Sequence, residues 1–450
     1  MGRYKIIAEH YTAKGILDTK TGTRISNLWD HIERCGLIEG KSEYYLVQDK
    51  YSKWAIFHKD NPNQPITQWW YGIEKDGLAE GESEYYIVAN KYDPQYAIFH
   101  KDNPNEPITQ WWKKIKASGV LKNKSEYYIA ENQNYQQAIF HKDNPYVSIS
   151  HWWKEIEAPG LLKGTSKYYI ATRQHWDTAI FHIDNPDEPV SKSNIYISKQ
   201  GLVNGQSNYY IARNHNWQCA IFYKDDPDTA ISKYWDNIYS YGLVSNQSEY
   251  YIAEMQNRQQ AIFHINNPDK PITNLHRYIY PFGLVNGSSE CYATLSQKDP
   301  VIQIYHPNDI SQPLYELPKK QIESVLLYVN SEYALYLGQH HLMMYDAINM
   351  QHKDIGALPK NLQSITQKIY YQTSEYAVAT TTTSRLISDY MHHGFMPIVI
   401  KNYRSKHTHN YLLTADGNYI QKFDNTQEMI EYIQQEISKK TSSYDMLRLY

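Results

Sequence analysis

Histidine and aspartate recur along this sequence at a nearly constant spacing, and both side chains can ligate metals. The recurring residues are His58, His100, His141, His182 and His264, with Asp60, Asp102, Asp143, Asp184 and Asp225 close behind. A zinc site needs three or four ligands, whereas each copy offers one imidazole without a cysteine or a second histidine at ligand spacing. No copy gathers the oxygen ligands of a calcium loop. We therefore predict no metal site and expect each histidine to form a hydrogen bond with the turn that follows it.

A second recurring feature is a short polar segment that contains one large planar side chain. Each segment separates two runs of β-branched and aromatic residues, and the planar residues are Tyr51, Tyr92, Tyr135, Trp176, Trp217 and Arg258. Tyrosine, tryptophan and arginine dominate the hot spots of protein interfaces, and rings in series also stack on bases or sugars. The alternative is free variation of turns, with each ring covering its own hairpin. We predict that the six residues form a binding surface.

Sequence motifs of catalysis are missing. The chain has no glycine-rich phosphate loop, nucleophile elbow, His-Glu-x-x-His pattern or paired Cys-x-x-Cys. We therefore predict a non-enzymatic protein without a cofactor. An enzyme with its site in the divergent residues 301–450 is a third alternative, because groups gathered from separate units leave no local motif.

All of these residues belong to a tandem repeat. The segment Ala-Ile-Phe-His-Lys-Asp-Asn-Pro, or a close variant, begins at Ala55, Ala97, Ala138, Ala179, Ala220 and Ala261. A seventh, divergent copy lies upstream at residues 15–22. No single copy can bury its own apolar face, so neighbouring copies must stack.

Each repeat is typical of a β-hairpin followed by a turn and a short helix. Paired runs such as residues 127–130 and 138–141 predict the hairpin, and Asp-Asn-Pro favours a turn. Residues 109–115 then combine a threonine with an apolar i, i+3, i+4 spacing, which predicts a capped helix.

Glycine recurs at a fixed position in every repeat. The glycines at 36, 77, 119, 160, 201, 242 and 283 are expected to end the predicted helices in the left-handed conformation. A second position then holds Gly40, Gly81, Asn123, Gly164, Gly205, Asn246 and Gly287. The alternation of glycine with asparagine indicates a positive φ there.

The predicted fold is a β-rich α+β tandem repeat of about ten units, each near 41 residues long. Residues 1–300 form a regular array of seven clear units, and residues 301–450 form degenerate repeats that end in a capping helix near residues 425–437. We expect an open, curved superhelix. The alternative is a closed ring of the β-propeller type, although ten units would make an unusually wide ring.

Composition indicates the cellular compartment and the classes of partner to expect. The 45 Lys+Arg and 48 Asp+Glu give a formal net charge of −3, which argues against a protein held on nucleic acid by its overall charge. The three cysteines are too scattered for a disulfide framework, which favours a reducing compartment. No segment has the ~18 apolar residues of a membrane helix, and the N-terminus lacks the apolar run of a signal peptide. We expect a cytoplasmic protein without a membrane partner.

The repeats resemble WG-type (KWG) bacterial repeats, whose pattern begins with Lys-Trp-Gly and continues with a strand, Asp-x-x-Gly and an apolar strand. The closest matches are residues 14–22, Lys-Gly-Ile-Leu-Asp-Thr-Lys-Thr-Gly, and residues 53–57, Lys-Trp-Ala-Ile-Phe. Alanine replaces the glycine of the Trp-Gly pair in six repeats, and Asp-Asn-Pro replaces the glycine turn. The resemblance spans residues 4–300. It implies a bacterial binding or accessory module with a β-rich repeat fold, and it assigns no site residue.

These observations predict a protein that binds another protein through its variable hairpin tips, in an antagonist, immunity or adaptor role. The alternative is a polymer binder, in which the ring ladder stacks on single-stranded nucleic acid or a glycan. Paired tryptophans at 69–70, 111–112 and 152–153 offer a glycan a second platform if the outer ring of each pair is exposed.

Overall fold

The described residues form ten small antiparallel sheets of three or four strands, one after another along the chain. The prediction of a β-rich tandem repeat is confirmed. The structure is a computed structural model and describes residues 3–10, 13–90, 95–173, 177–280, 283–285, 287, 289–296, 301–318, 326–329, 331, 333–337, 341–357, 376–379, 395–402, 408–414, 419–423, 428–429, 431–432 and 435.

The chain divides into two compact units. Unit 1 comprises Met1–Asn216 and Phe222–Thr229, and unit 2 comprises Trp217–Ile221 and Ala230–Tyr450. The strands of unit 1 are β1 (Tyr4–His10), β2 (Ala13–Asp18), β3 (Thr23–Arg24), β4 (His31–Ile32), β5 (Tyr44–Gln48), β6 (Trp54–His58), β7 (Gly72–Ile73), β8 (Tyr85–Ala89), β9 (Tyr96–His100), β10 (Lys114–Lys116), β11 (Tyr127–Glu131), β12 (Gln137–His141), β13 (Glu155–Glu157), β14 (Tyr168–Thr172), β15 (Thr178–His182), β16 (Asn185–Pro189), β17 (Tyr196–Ile197) and β18 (Tyr209–Arg213).

Strand β19 (Cys219–Tyr223) contains the division between the units. The strands of unit 2 continue with β20 (Asn237–Tyr239), β21 (Tyr250–Glu254), β22 (Gln260–His264), β23 (Tyr278–Ile279), β24 (Tyr292–Leu295), β25 (Val301–Tyr305), β26 (Tyr315–Pro318), β27 (Leu326–Val329), β28 (Tyr333–Leu337), β29 (His341–Asp346), β30 (Gln351–Ala357), β31 (Tyr376–Ala379), β32 (Phe395–Asn402), β33 (Thr408–Thr414) and β34 (Tyr419–Phe423). Three short helices are α1 (Ser118–Leu121), α2 (Pro159–Lys163) and α3 (Tyr241–Val244). The predicted boundary at residue 300 concerns sequence regularity and stays a prediction.

Hairpins of the regular repeats bury an aromatic pair. In the fourth sheet, β11 pairs with β12 in register, which sets Tyr128 opposite Phe140. Their rings stack with centroids 5.4 Å apart, and both side chains are buried. The same stack recurs between Tyr45 and Phe57, Tyr86 and Phe99, Tyr169 and Phe181, and Tyr251 and Phe263. This repeated pair explains how a tyrosine-rich sequence builds a core.

The helix prediction for residues 109–115 is wrong, because this segment is extended. Trp112 forms an antiparallel bridge with Tyr96 at the edge of the third sheet, and β10 then pairs with β11 of the fourth sheet. The segment is therefore a crossing segment that belongs to two successive sheets. Trp112 and Ile115 are both buried because each faces the core from a different sheet edge, and this mimics helical spacing.

The threonine that precedes each crossing segment is likewise not a helix cap. Thr109 Oγ1 accepts a hydrogen bond from the backbone N–H of Ile98 at 3.1 Å, and its hydroxyl donates to the carbonyl of Gln110 at 2.9 Å. The same acceptor role falls to Ser26, Thr67, Ser150, Ser191, Ser232 and Thr273. The buried hydroxyl thus completes the ladder of the outer hairpin strand.

We expect Thr109→Val to lower the free energy of unfolding by about 2 kcal/mol, because a side chain of similar shape leaves the buried N–H of Ile98 without an acceptor. Urea denaturation followed by tryptophan fluorescence measures this. Thr109→Ser is the matched control, since serine holds the same position in other repeats and keeps the acceptor. An equal loss in the two variants would contradict the role of the hydroxyl.

The two glycine positions behave differently. The second position adopts a positive φ in all seven repeats, between 52° and 75° at Gly40, Gly81, Asn123, Gly164, Gly205, Asn246 and Gly287, as predicted. The first position is left-handed at glycines 36, 77, 201 and 283. Glycines 119, 160 and 242 lie inside α1, α2 and α3 instead, so the prediction of a left-handed helix stop is wrong for these three.

Beyond residue 300 the sheets continue. Within residues 301–450, the short apolar runs at 302–305, 342–345 and 386–388 resemble the second hairpin strand of the regular repeats. The first two lie in β25 and β29, and residues 386–388 lie outside the described residues. In the predicted capping helix, residues 428–429, 431–432 and 435 are helical and Met429 is buried. No helix among the described residues is long and apolar enough to span a membrane.

Candidate recognition surface

Crossing segments hold the tips of successive hairpins at one edge of unit 1. Trp112 pairs with Tyr96, which follows the tip of the third sheet, and the N–H of Lys113 donates to the carbonyl of Glu131, which precedes the tip of the fourth sheet, at 3.0 Å. Because two or three residues of extended chain span these contacts, the two tips lie roughly 10 Å apart. Segments 70–72 and 153–155 repeat this arrangement.

We call this border the tip edge. In unit 1 its described residues include the hairpin tips at 48–53, 90, 95, 131–136, 172–173, 177 and 214–216, with crossing residues 30, 71, 113, 154 and 195. In unit 2 they include the tips at 217–218 and 254–259, with crossing residues 236 and 277. Equivalent loops of each unit therefore share one border, which is what a common binding surface requires.

The structure places four of the six predicted binding residues on the tip edges. Tyr51, Tyr135 and Trp217 expose 69%, 66% and 68% of their surface, and Arg258 is also exposed. Tyr92 and Trp176 lie outside the described residues. Rings that covered their own hairpins would lose most of this exposure, so the geometry argues against that alternative for these tips.

Three tips place a bulky residue in the left-handed backbone region. The φ angles are 60° at Tyr135, 64° at Trp217 and 61° at Arg258. In the fourth sheet the N–H of Tyr135 donates to the carbonyl of Asn132 at 3.0 Å, and the N–H of Asn132 donates to the carbonyl of Gln136 at 2.9 Å. The second sheet differs, since Ser52 is left-handed there and Tyr51 comes one position earlier.

Basic side chains lie against the rings of the tip edge in unit 1. Lys113 Nζ is 3.2 Å from the ring centroid of Tyr135, and Lys50 Nζ is 5.0 Å from that of Tyr51. Lys53 approaches Tyr71 in the same way, with 5.5 Å between the ammonium and the centroid. These cation–π contacts orient the rings and give this edge a mixed aromatic and cationic surface.

A groove opens on the tip edge of unit 2. Its volume is about 460 Å³, and it is lined by Gln218, residues 234–236 and residues 255–257. The lining thus comes from the residue after Trp217, from the crossing segment and from the next hairpin tip. It includes residues with amide, aromatic, thioether and carboxylate side chains.

The crossing residues of the tip edge were missed by the sequence analysis. Tyr71, Lys113, Lys154 and Asp236 occupy one position of the repeat, directly after a tryptophan and two residues before an isoleucine. The variation of this residue between constant neighbours in these four repeats was the available signal. The assignment of the segment to a helix concealed it, because only strand pairing brings these residues to the hairpin tips.

The repeated histidines lie at the opposite end of the hairpins and are bonded to the following turn, as predicted. The N–H of Asp102 donates to His100 Nδ1 at 3.3 Å, and His100 Nε2 lies 3.2 Å from Glu84 Oε2. The Lys101 ammonium, 2.8 Å from Asp102, lowers the pKa of that carboxyl. His58, His141, His182 and His264 make the same Nδ1 contact.

One of these clusters has ligand atoms close enough for a metal. Those of Glu126, His141 and Asp143 lie within 4.8 Å of one another. However, Lys142 Nζ is 2.7 Å from Asp143 and 3.6 Å from Glu126, and the N–H of Asp143 occupies His141 Nδ1. The groups fit an ion-pair cluster better than a metal site, and the absence of a metal stays a prediction.

The paired tryptophans join neighbouring sheets of unit 1. Trp29 packs on Trp69, Trp70 on Trp111, and Trp112 on Trp152, with centroids 5.5 to 5.8 Å apart. The outer member of each pair is half-buried against the preceding repeat. This packing leaves the outer rings poorly suited to serve as a glycan platform.

Comparison with known proteins does not assign this chain to a family. No known protein family matches the sequence, and no curated protein is significantly similar to it. Solved structures overlay only loosely. A crystal structure of the eukaryotic initiation factor has 8% identity and a TM-score of 0.38 over 85% of this chain and 96% of its own. KlHsv2 with loop 6CD replaced by a Gly-Ser linker has 9% identity and a TM-score of 0.34 over 67% and 94%. Kluyveromyces lactis Hsv2 has 10% identity and a TM-score of 0.27 over 61% and 97%.

Proposed function

We propose that this chain is a non-enzymatic protein that recognises another protein through its tip edges. The observation that carries the proposal is the left-handed backbone of the exposed residues Tyr135, Trp217 and Arg258. A residue with a Cβ in this conformation costs about 1–2 kcal/mol, whereas glycine adopts it freely. Such strain persists mainly where the side chain has a function.

The other left-handed positions of the same chain can be compared with these tips. At the bend after each crossing segment, all seven left-handed positions hold glycine or asparagine. Among the described tips, three of the four left-handed positions instead hold Tyr135, Trp217 and Arg258, the residue types that dominate protein hot spots, and the fourth holds Ser52. Turns that varied freely would be expected to use the residues found at the bends.

A second candidate is single-stranded nucleic acid, favoured by the lysines beside Tyr51 and Tyr135. We rank it lower because an ammonium 3.2 Å from the ring centroid of Tyr135 covers the face on which a base would stack. The two candidates separate by salt dependence. Affinity for nucleic acid falls steeply between 50 and 200 mM salt, whereas a hot spot of aromatic residues changes little.

A cytoplasmic antagonist, immunity or adaptor role fits this proposal. For the array as a whole we propose an open, curved superhelix rather than a closed ring. The ten sheets exceed the typical four to eight blades of a propeller. Small-angle X-ray scattering tests this, because an open array gives a longer maximum dimension than a ring of the same mass.

We expect Tyr135→Ala and Trp217→Ala each to weaken partner binding by about 2 kcal/mol, roughly 30-fold in Kd, without lowering the melting temperature. A pull-down identifies the partner, and calorimetry then measures its Kd. Tyr146→Ala is the matched control, since Tyr146 is 65% exposed but lies at the opposite end of its hairpin. Equal losses for Tyr135→Ala and Tyr146→Ala would contradict the proposal.

Arg258→Gly is expected to act in opposite directions on stability and binding. Glycine relieves the left-handed strain, so the free energy of unfolding should rise by about 0.5–1 kcal/mol, while the partner loses a contact. Thermal unfolding and calorimetry on one preparation measure both. Arg277→Gly is the control, because Arg277 is an exposed tip-edge arginine without a positive φ. A destabilised Arg258→Gly protein would show that the tip is not strained.

A further inference from the structure

The groove of unit 2 contains a carboxylate without an ion-pair partner among the residues that the structure describes. Asp236 is half-buried, and its N–H donates to the carbonyl of Glu254 at 3.1 Å. Its carboxylate forms no hydrogen bond or ion pair with any described residue. The nearby Lys233 is paired with Asp269 at 3.2 Å instead. A partly desolvated carboxylate of this kind favours a cation from outside.

The residue at this crossing position varies between repeats. It is, in chain order, Asp30, Tyr71, Lys113, Lys154, Ile195, Asp236 and Arg277. Asp30 is exposed, whereas Asp236 is half-buried and lines the groove. Lys113 instead lies against the ring of Tyr135. The charge at this position therefore changes from one repeat to the next.

The remaining walls suit the stem of a long basic side chain. Tyr234 is 43% exposed and Met255 is half-buried, so both offer apolar surface to a hydrocarbon chain. Tyrosine also attracts a cation to its ring face. The amide of Gln256 adds a carbonyl oxygen that can accept a hydrogen bond from an ammonium or guanidinium group. Asn257 Oδ1 already accepts the N–H of Gln259 at 3.0 Å and has one lone pair left for a second donor.

We propose that this groove binds an arginine or lysine side chain of the protein partner, with Asp236 as the ion-pair acceptor. The inference rests on the proposed function, because it supplies the chemistry of the residue that the tip edge recognises. The aliphatic stem lies along Met255 and Tyr234, and the charged head meets Asp236 and the amides. The groove thus selects a positively charged side chain over a neutral one, whereas Trp217 at its rim adds apolar contact area.

The test uses small probes and needs no partner. In the full chain labelled with ¹³C-methyl methionine, the methyl signal of Met255, assigned with Met255→Leu, reports on the groove. N-acetyl-arginine amide is expected to shift this signal in a saturable manner. N-acetyl-citrulline amide, which has a similar shape and no charge, is expected to bind at least about fivefold more weakly, because the ion pair is lost.

Asp236→Asn should weaken the arginine probe by about the same factor. Asp269→Asn, which removes the same charge at the opposite end of the hairpin, should leave its affinity unchanged. Equal binding of the two probes, unchanged affinity in Asp236→Asn, or no shift of the Met255 signal with any probe would each overturn the inference. If the probes fail to bind but Trp217→Ala still weakens partner binding, the inference is overturned and the proposed function stands. If the probes bind as expected but Trp217→Ala leaves partner binding unchanged, the proposed function is overturned, and with it the assignment of the groove to a protein partner.

Discussion

Replacing Gly119 by valine is expected to lower the free energy of unfolding by about 3 kcal/mol or more. A Cβ at this position would lie 2.3 Å from the carbonyl oxygen of Leu162 and 2.6 Å from the Cβ of Ser125. Leu162 belongs to α2 of the following repeat, so the clash separates two successive sheets rather than distorting one. Urea denaturation measures the loss. A Gly119→Val protein that is soluble but unfolded would also support the prediction.

The sequence analysis expected a left-handed backbone at Gly119, which would also make valine unfavourable but for a different reason. Two alanine variants separate these explanations. Gly22 is left-handed at φ 69° and an added methyl group would have no neighbour within 4 Å, whereas Gly119 lies in α1 with close neighbours. If contact decides the outcome, Gly119→Ala costs more than Gly22→Ala. A smaller loss at Gly119 would refute the contact explanation.

Stability is expected to fall by about 3 kcal/mol between pH 6.5 and pH 4 because of one histidine. His276 occupies the crossing position that holds tryptophan in Trp70, Trp112, Trp153 and Trp235, and it packs against Tyr305 with centroids 5.6 Å apart. Burial lowers the pKa of His276 to about 4. The unfolded chain takes up a proton near pH 6.5 and the native chain does not, so stability is complete above pH 6.5 and declines as the pH falls to 4.

Urea midpoints at pH 7 and pH 4.5 test this. Variants of single histidines separate the contribution of His276 from that of the other titrating groups. His276→Trp introduces the residue that five other repeats hold at this position and is expected to lose the part of the pH dependence that His276 contributes. His151→Gln removes an exposed histidine and should retain it. Identical pH dependence in His276→Trp and the unmodified chain would show that His276 does not titrate as expected.

Local features of the repeat were predictable from residue types. The 41-residue period fixed the number of sheets, and alternating glycine and asparagine identified every left-handed bend from Gly40 to Gly287. The helix prediction at 109–115 failed because a spacing of i, i+3 and i+4 does not reveal that Trp112 pairs with one sheet and Ile115 with the next. Long-range strand pairing leaves no such local trace.

The candidate binding residues also include some that the sequence could predict and some that it could not. Tyr51, Tyr135, Trp217 and Arg258 were found from composition and position alone, since hairpin tips are exposed wherever a hairpin forms. Asp236 and Lys113 were not found, because their approach to the tips depends on the register of a crossing segment. That register follows from backbone contacts between residues of different repeats, such as Trp112 with Tyr96.

A crossing segment joined to two sheets also bears on how such an array changes its length. Removal of residues 97–137, a whole period from one Ala-Ile-Phe to the next, would bring Tyr96 against Trp153 in the place of Trp112. The joint created by this deletion contains the same residue types as the joint it replaces. Gene duplication or unequal recombination can thus lengthen or shorten the array without inventing a new interface, and each event adds or removes one recognition loop.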